Sequence, residues 1–84
     1  MIIKLYDYDY SKVTSAQQLL KVLEEIKELE AAGSNLDQVA EESFDVIQAL
    51  VGYLVTLGID IEGANEKHLA KLYARHARGG SDND

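Results

Sequence analysis

Two groups of acidic residues lie close together between residues 23 and 45, and both have a spacing that suits metal chemistry. The first group is Glu24, Glu25 and Glu28, and the second is Glu41, Glu42 and Asp45. Carboxylates three residues apart share one face of a helix, so each group can direct two carboxylates the same way. Without a cation, four carboxylates at one spot would repel one another, and some would be forced neutral. The pattern therefore predicts a divalent-metal site that handles phosphate groups.

Magnesium fits these side chains best. It takes oxygen ligands in octahedral geometry and is commonly shared between carboxylates and substrate phosphates, and Mn²⁺ can substitute at the same ligands. We expect Glu25, Glu28, Glu42 and Asp45 to be the metal ligands. A divalent cation lowers the pKa of a coordinated water, which becomes a nucleophile near neutral pH. Glu24 would orient or deprotonate this water, so Glu24 and Glu25 are the predicted catalytic residues.

A plainer alternative is that the acids only form a solvated helix face. With 15 acidic residues among 84, pairs with this spacing arise readily by chance. Two groups on adjacent helices are more informative, and a basic segment follows them, since residues 67–78 contain four positive charges and no acid. Fixed positive charge stabilises phosphate groups. We therefore expect Lys67, Lys71 and Arg75 to contact the phosphates of the substrate.

The composition limits the class of protein and its partners. A chain of 84 residues makes one small domain or one protomer of a larger assembly. The absence of cysteine excludes disulfides and thiolate metal sites, and it fits a cytoplasmic setting. The net charge of −7 argues against nucleic acid or an anionic membrane as the main partner. We see no signal-peptide pattern and no apolar run of membrane-spanning length.

Helices must position the two acidic groups, and the apolar pattern indicates where the first helix lies. Between residues 19 and 29 the apolar residues recur at i, i+3, i+4 and i+7, and the first acidic group falls on the opposite side. The helix should begin near Thr14 or Ser15, because each has a glutamine three residues later, as a capping box requires. Gly33 then ends it.

The second helix should be longer and more apolar than the first. It should start after Ser34 or Asn35, both good caps, and run to Leu57, with Gly58 ending it. Its acidic group lies on a narrow polar wedge, and the apolar stripe around it is wider than two short neighbours can cover. Gly52, in mid-helix, suggests the close approach of another helix. Exposed apolar surface of this kind usually marks a subunit interface, so we expect a homodimer or homotetramer.

The remaining segments complete the predicted architecture. Residues 61–77 should form a third helix. The N-terminal residues 1–13 alternate tyrosines with other residues, which predicts a short strand or an extended arm. The last residues, 79–84, should form a disordered tail. We therefore expect an all-α domain over residues 14–78, an antiparallel bundle of three main helices that homo-oligomerisation completes.

The acidic pattern resembles that of a known family. Glu24-Glu25-x-x-Glu28, thirteen residues, then Glu42-x-x-Asp45 is similar to the E-E-x-x-E … E-x-x-D signature of the MazG-type all-α nucleoside triphosphate pyrophosphohydrolases. The resemblance covers residues 17–78 and includes Lys21, one turn before the first acidic group, and the basic third helix.

This resemblance implies an enzyme, its cofactor and its assembly. It implies Mg²⁺-dependent hydrolysis of a nucleoside triphosphate to monophosphate and pyrophosphate, in helical dimers or tetramers with active sites between helices. It adds Lys21 to the expected substrate-binding residues. Two alternatives stay open: phosphoribosyl-ATP pyrophosphohydrolase, which shares the second acidic helix, and a non-catalytic helical oligomerisation module.

Overall fold

The described part of the chain, residues 1–77 of a computed structural model, consists of three helices and an N-terminal arm. The helices are α1 (Ser15–Ala31), α2 (Leu36–Thr56) and α3 (Ile61–Ala77). Residues 1–77 contain no β-strand, so the predicted all-α fold is confirmed and the N-terminal residues 1–13 form no strand. The predicted disordered tail lies outside the described residues.

Side-chain caps explain where α1 and α2 begin. Thr14 caps α1 through a complete capping box, because its Oγ1 accepts a hydrogen bond from the Gln17 backbone N–H at 3.1 Å and its own N–H donates to Gln17 Oε1 at 3.0 Å. Asn35 caps α2, since its Oδ1 accepts from the Gln38 N–H at 3.2 Å. Both helices therefore start where the sequence predicts.

Two glycines explain how the chain leaves α1 and α2. Gly33 and Gly58 have φ angles of 60° and 71°, in the left-handed region that side chains with a Cβ rarely adopt. Each follows the helix that it was predicted to end. The turn after α1 sends α2 back along α1, and the two helices pack together.

The interface between α1 and α2 is the core of the chain, and it is small. Its buried apolar residues are Val22, Ala32 and Ala49, and none of the large side chains in residues 1–77 is fully buried. Two polar side chains, Gln18 and Glu25, are buried with them. A single chain of this size buries little apolar surface, which leaves many large hydrophobic residues exposed.

Helix α3 stands apart from this core. It contacts α2 but not α1, and the chain direction changes by 116° between α2 and α3. Its apolar side is poorly covered, because Leu69 is exposed and Tyr73 is 71% exposed. Within residues 1–77, no single helix is long and apolar enough to cross a membrane, and α2 and α3 meet that criterion only together, as a bent pair.

The N-terminal arm, residues 1–13, lies against α2. Gln48 holds it, since Gln48 Oε1 accepts from the Tyr6 N–H at 2.8 Å and Gln48 Nε2 donates to the Tyr6 carbonyl at 3.0 Å. The ring of Tyr10 packs on Gly52, where an added Cβ would lie 2.5 Å from Tyr10 Cζ. The predicted helix neighbour of Gly52 is therefore wrong, because an aromatic ring of the arm makes the close approach.

Candidate metal centre

Three carboxylates from two helices converge at the interface between α1 and α2. Glu25 comes from α1, Glu42 and Asp45 come from α2, and one carboxylate oxygen of each lies within 4.8 Å of the others. We call these three residues the acidic cluster. Ligands on opposite sides of a Mg²⁺ ion are about 4.2 Å apart, so small side-chain rotations would bring the three oxygens onto one ion.

Glu25 lies on the buried face of α1, not on the solvated face that the sequence predicted. Gln18, Val22 and Glu25 follow one another at i, i+4 and i+7, and all three are buried, with 6% of Glu25 exposed. The helical periodicity placed Glu25 on the exposed side of α1, because only apolar residues were used to define the buried side. The sequence signal for this burial was that Gln18 and Glu25 lie on the same helix face as Val22.

The buried oxygens of the acidic cluster need a partner that residues 1–77 do not supply. Glu25 Oε2 and Glu42 Oε2 are both buried without a hydrogen-bond partner, which costs free energy for polar atoms away from water. Burial raises the pKa of Glu42, and the charges of Asp45 and Glu25 raise it further. An all-oxygen site with excess negative charge is the donor set that Mg²⁺ or Mn²⁺ prefers.

Lys21 is the cation that reaches this site among residues 1–77. Its Nζ lies 2.9 Å from Glu25 Oε1 and 3.3 Å from Glu24 Oε1. These two ion pairs raise the pKa of Lys21, with Glu25 the larger cause. Glu24 is exposed and shares Lys21, so its role toward a water molecule stays a prediction.

Glu28, the fourth predicted metal ligand, lies beside the acidic cluster but outside it. Its side chain is exposed and is not among the three that converge. The negative charge of Glu25 raises the pKa of Glu28. The proximity is consistent with a ligand that turns inward, and the assignment of Glu28 stays a prediction.

The basic residues of α3 do not reach the acidic cluster of the same chain. Lys67 and Lys71 are exposed and Arg75 is half-buried, and α3 makes no contact with α1. None of the three lines the pocket beside the cluster. A single chain therefore does not assemble the predicted phosphate site, and the roles of Lys67, Lys71 and Arg75 stay predictions.

An open pocket of about 600 Å³ adjoins the acidic cluster. The cluster and its lysine line one part of it, through Lys21, Glu25 and Asp45. The other lining residues come from the arm and from the facing sides of α1 and α2: Tyr8, Tyr10, Val13, Gln18, Gln48 and Ala49. A cleft with a charged part and an apolar part is typical of a site for a small molecule.

Comparison with known proteins adds one finding to this geometry. A family model described as phosphoribosyl-ATP pyrophosphohydrolase matches residues 7–71. The match spans well over half of the chain and includes both acidic groups, all of α1 and α2, and α3 as far as Lys71. No curated protein and no solved structure matches the chain.

Proposed function

The chain belongs to the phosphoribosyl-ATP pyrophosphohydrolase family, within the MazG-like all-α nucleoside triphosphate pyrophosphohydrolases, and from this premise we propose its reaction. It is a nucleotide pyrophosphohydrolase, an enzyme that hydrolyses a phosphoric anhydride. We propose that it hydrolyses a nucleoside triphosphate to monophosphate and pyrophosphate in the presence of Mg²⁺. The acidic cluster, with its two buried and unpartnered oxygens, carries this proposal.

The proposed chemistry assigns a role to each residue near the cluster. Glu25, Glu42 and Asp45 would hold the cation, with Glu28 beside them. A divalent cation in such a site neutralises charge on phosphate oxygens and lowers the pKa of a bound water. Lys21, placed between Glu24 and Glu25, would turn toward a phosphate oxygen once a cation neutralises the carboxylates.

The bond changes of the proposed reaction are those of anhydride hydrolysis. The oxygen of a water molecule forms a bond to one phosphorus of the α–β anhydride. The bond from that phosphorus to the bridging oxygen breaks, and the bridging oxygen leaves with the electron pair. Glu24, which is exposed next to the cluster, would accept the proton of the water as general base.

An alternative substrate is phosphoribosyl-ATP, which the description of the matching family favours. It carries the same triphosphate chain, and its hydrolysis also releases pyrophosphate and leaves a monophosphate. The acidic cluster would serve both substrates, since it acts on the anhydride. The choice between them depends on the part of the pocket that holds the rest of the nucleotide.

A substrate panel tests the proposal directly. We expect the purified protein with Mg²⁺ to convert at least one ribo- or deoxyribonucleoside triphosphate, or phosphoribosyl-ATP, to its monophosphate plus pyrophosphate. Chromatography of the nucleotides and a pyrophosphate assay would measure this, with EDTA as the control that removes the metal. Release of orthophosphate instead of pyrophosphate, or no turnover of any substrate, would contradict the proposed reaction.

We also propose that the protein is a homo-oligomer, a dimer or a tetramer. Large hydrophobic side chains are exposed on every helix, including Leu20 on α1, Leu36 on α2 and Tyr73 on α3, and Leu36 is 80% exposed. Apolar surface on this scale is typical of subunit interfaces. In such an assembly the basic side of α3 in one subunit could meet the acidic cluster of another, and so bring Lys67 and Lys71 to the phosphates.

Light scattering after size-exclusion chromatography tests the assembly. We expect a mass of two or four chains at micromolar protein concentration, because burial of these side chains favours association. A double substitution of Lys67 and Lys71 by alanine should weaken substrate binding without changing this mass. A monomeric mass at concentrations where the enzyme turns over would contradict the proposed assembly.

A further inference from the structure

One part of the pocket is aromatic, in contrast to the charged part at the acidic cluster. Tyr8 and Tyr10 of the arm line it together, with ring centroids 4.8 Å apart and ring planes inclined at 59°. The side chain of Tyr10 is half-buried, whereas Tyr8 is 52% exposed. The ring of Tyr8 therefore packs against Tyr10 and still has exposed surface on which another flat group can stack.

The arm that carries these rings is held in a defined position. Both polar groups of the Gln48 side chain are used for it: Oε1 accepts from the Tyr6 N–H, and Nε2 donates to the Tyr6 carbonyl and, at 3.2 Å, to the hydroxyl of Tyr10. Gly52 leaves the space that the Tyr10 ring occupies. These contacts fix the position of the arm, so its tyrosines form a defined aromatic wall of the pocket.

A buried amide completes this part of the pocket. Gln18 is 7% exposed, and its Nε2 donates to the Ala49 carbonyl at 3.1 Å. Its Oε1 accepts no hydrogen bond from any group in residues 1–77. The pocket thus combines a flat apolar ring with an unused carbonyl oxygen, at a site where Lys21 and Asp45 mark the phosphate end.

We propose that Tyr8 and Gln18 form the site for the nucleobase of the substrate. The base would stack on the ring of Tyr8, and an N–H on its edge would donate to Gln18 Oε1. Aromatic side chains bind bases in this way because every base has a flat π-face. The assignment rests on the proposed function and deepens it, since it makes the arm, rather than the acidic cluster, the part that recognises the nucleoside.

Binding of nucleoside monophosphates to a Tyr8→Ala variant tests this site. The probes are AMP, dAMP, dCMP, dGMP and dTMP, with ribose 5-phosphate as a matched ligand that has no base, all titrated by calorimetry with Mg²⁺. For each nucleotide that the wild type binds, we expect the affinity of Tyr8→Ala to be roughly tenfold lower. Binding of ribose 5-phosphate should not change, and Tyr8→Phe should restore nucleotide binding because it restores the ring.

A second tyrosine of the arm supplies the control. Tyr6 is exposed and does not line the pocket, so Tyr6→Ala should bind all probes as the wild type does. Equal nucleotide affinity in Tyr8→Ala and the wild type would overturn the proposal, and so would wild-type binding of ribose 5-phosphate as tight as that of the nucleotides. A change of oligomer mass in Tyr8→Ala would also overturn it, because it would make Tyr8 an interface residue.

This test is independent of catalysis. Monophosphates are bound without turnover, so a failure to hydrolyse any triphosphate would refute the proposed reaction and leave the binding result intact. Conversely, turnover with unchanged affinity in Tyr8→Ala would keep the reaction and remove the base site.

Discussion

Replacing Asp45 with asparagine is expected to reduce turnover roughly 1,000-fold, while the helical circular dichroism and the oligomer mass stay unchanged. The substitution removes one negative charge from the acidic cluster and keeps the shape of the side chain. Loss of a charged ligand weakens metal binding and removes several kcal/mol of charge stabilisation in the transition state, which sets that magnitude. Asp45 is exposed, so no packing is lost. Steady-state rates at saturating Mg²⁺ and substrate measure the effect.

Glu41→Gln is the matched control for this experiment. It makes the same change of charge on the same helix, next to Glu42, but Glu41 is exposed and is not part of the acidic cluster. We expect its rate to stay within a few-fold of the wild type. Wild-type rates in Asp45→Asn, or equal losses in Asp45→Asn and Glu41→Gln, would show that the acidic cluster is not the site of catalysis.

Glu28→Gln, measured in the same assay, tests whether Glu28 is a metal ligand. If Glu28 turns inward to bind a metal, its loss should resemble that of Asp45. If Glu28 only adds negative charge beside Glu25, from the exposed position that it has in the structure, the loss should be smaller and should appear mainly as a higher Mg²⁺ concentration needed for the half-maximal rate. The two results separate a ligand from a neighbouring charge.

The helices could be predicted from the sequence because their ends depend on local chemistry. Thr14 and Asn35 each bond to a backbone N–H three residues later, and Gly33 and Gly58 adopt conformations that other residues avoid. Such signals lie within one turn of the chain and need no tertiary contact. Hence the predicted starts of α1 and α2 are confirmed.

The inner faces of α1 and α2 could be predicted only in part. An apolar periodicity identifies Val22 as core, but it assigns polar residues to the solvent. Gln18, Glu25 and Gln48 break that rule, because each has a specific partner: the Ala49 carbonyl, Lys21 and the backbone of the arm. Buried polar groups need hydrogen-bond partners, and those of Gln18 and Gln48 are distant in the sequence, so periodicity alone could not place these residues.

The position of α3 shows the other limit of prediction. The sequence predicts a basic third helix, but it could not show that this helix turns away from α1 within one chain. The small core and the exposed Tyr73 support the proposed oligomer, in which contacts between subunits would fix the role of α3. If the phosphate site forms between two subunits, as proposed, the periodicity of one chain could not predict it.

Addition of Mg²⁺ is expected to raise the melting temperature by about 10 °C or more at a Mg²⁺ concentration 100 times the dissociation constant. Binding to the native state alone then contributes about 2.7 kcal/mol, and each kcal/mol shifts the melting temperature of a domain this size by about 4–8 °C. The physical source is the acidic cluster, where a cation would partner Glu25 Oε2 and Glu42 Oε2, which lack partners among residues 1–77. Thermal melts with Mg²⁺ and with EDTA measure the shift.

The pH dependence of this shift follows from the direction of two pKa changes. The pKa values of Glu28 and Glu42 are raised in the folded chain above their ordinary value of 4.5, mainly by the charge of Glu25 and by burial, respectively. The folded state then binds more protons than the unfolded state, so without Mg²⁺ these two groups favour folding below pH 4.5, and that contribution is lost as the pH rises through their raised pKa values.

Metal binding requires the deprotonated carboxylates, so the stabilisation by Mg²⁺ should be small at pH 4.5 and larger at pH 7.5. Asp45→Asn should lose most of the shift at pH 7.5, whereas Glu41→Gln should keep it. An equal shift at both pH values, or an undiminished shift in Asp45→Asn, would place the bound Mg²⁺ away from the acidic cluster. Because the melt needs no substrate, it locates the metal even if the nucleotide that the enzyme hydrolyses is not in the panel.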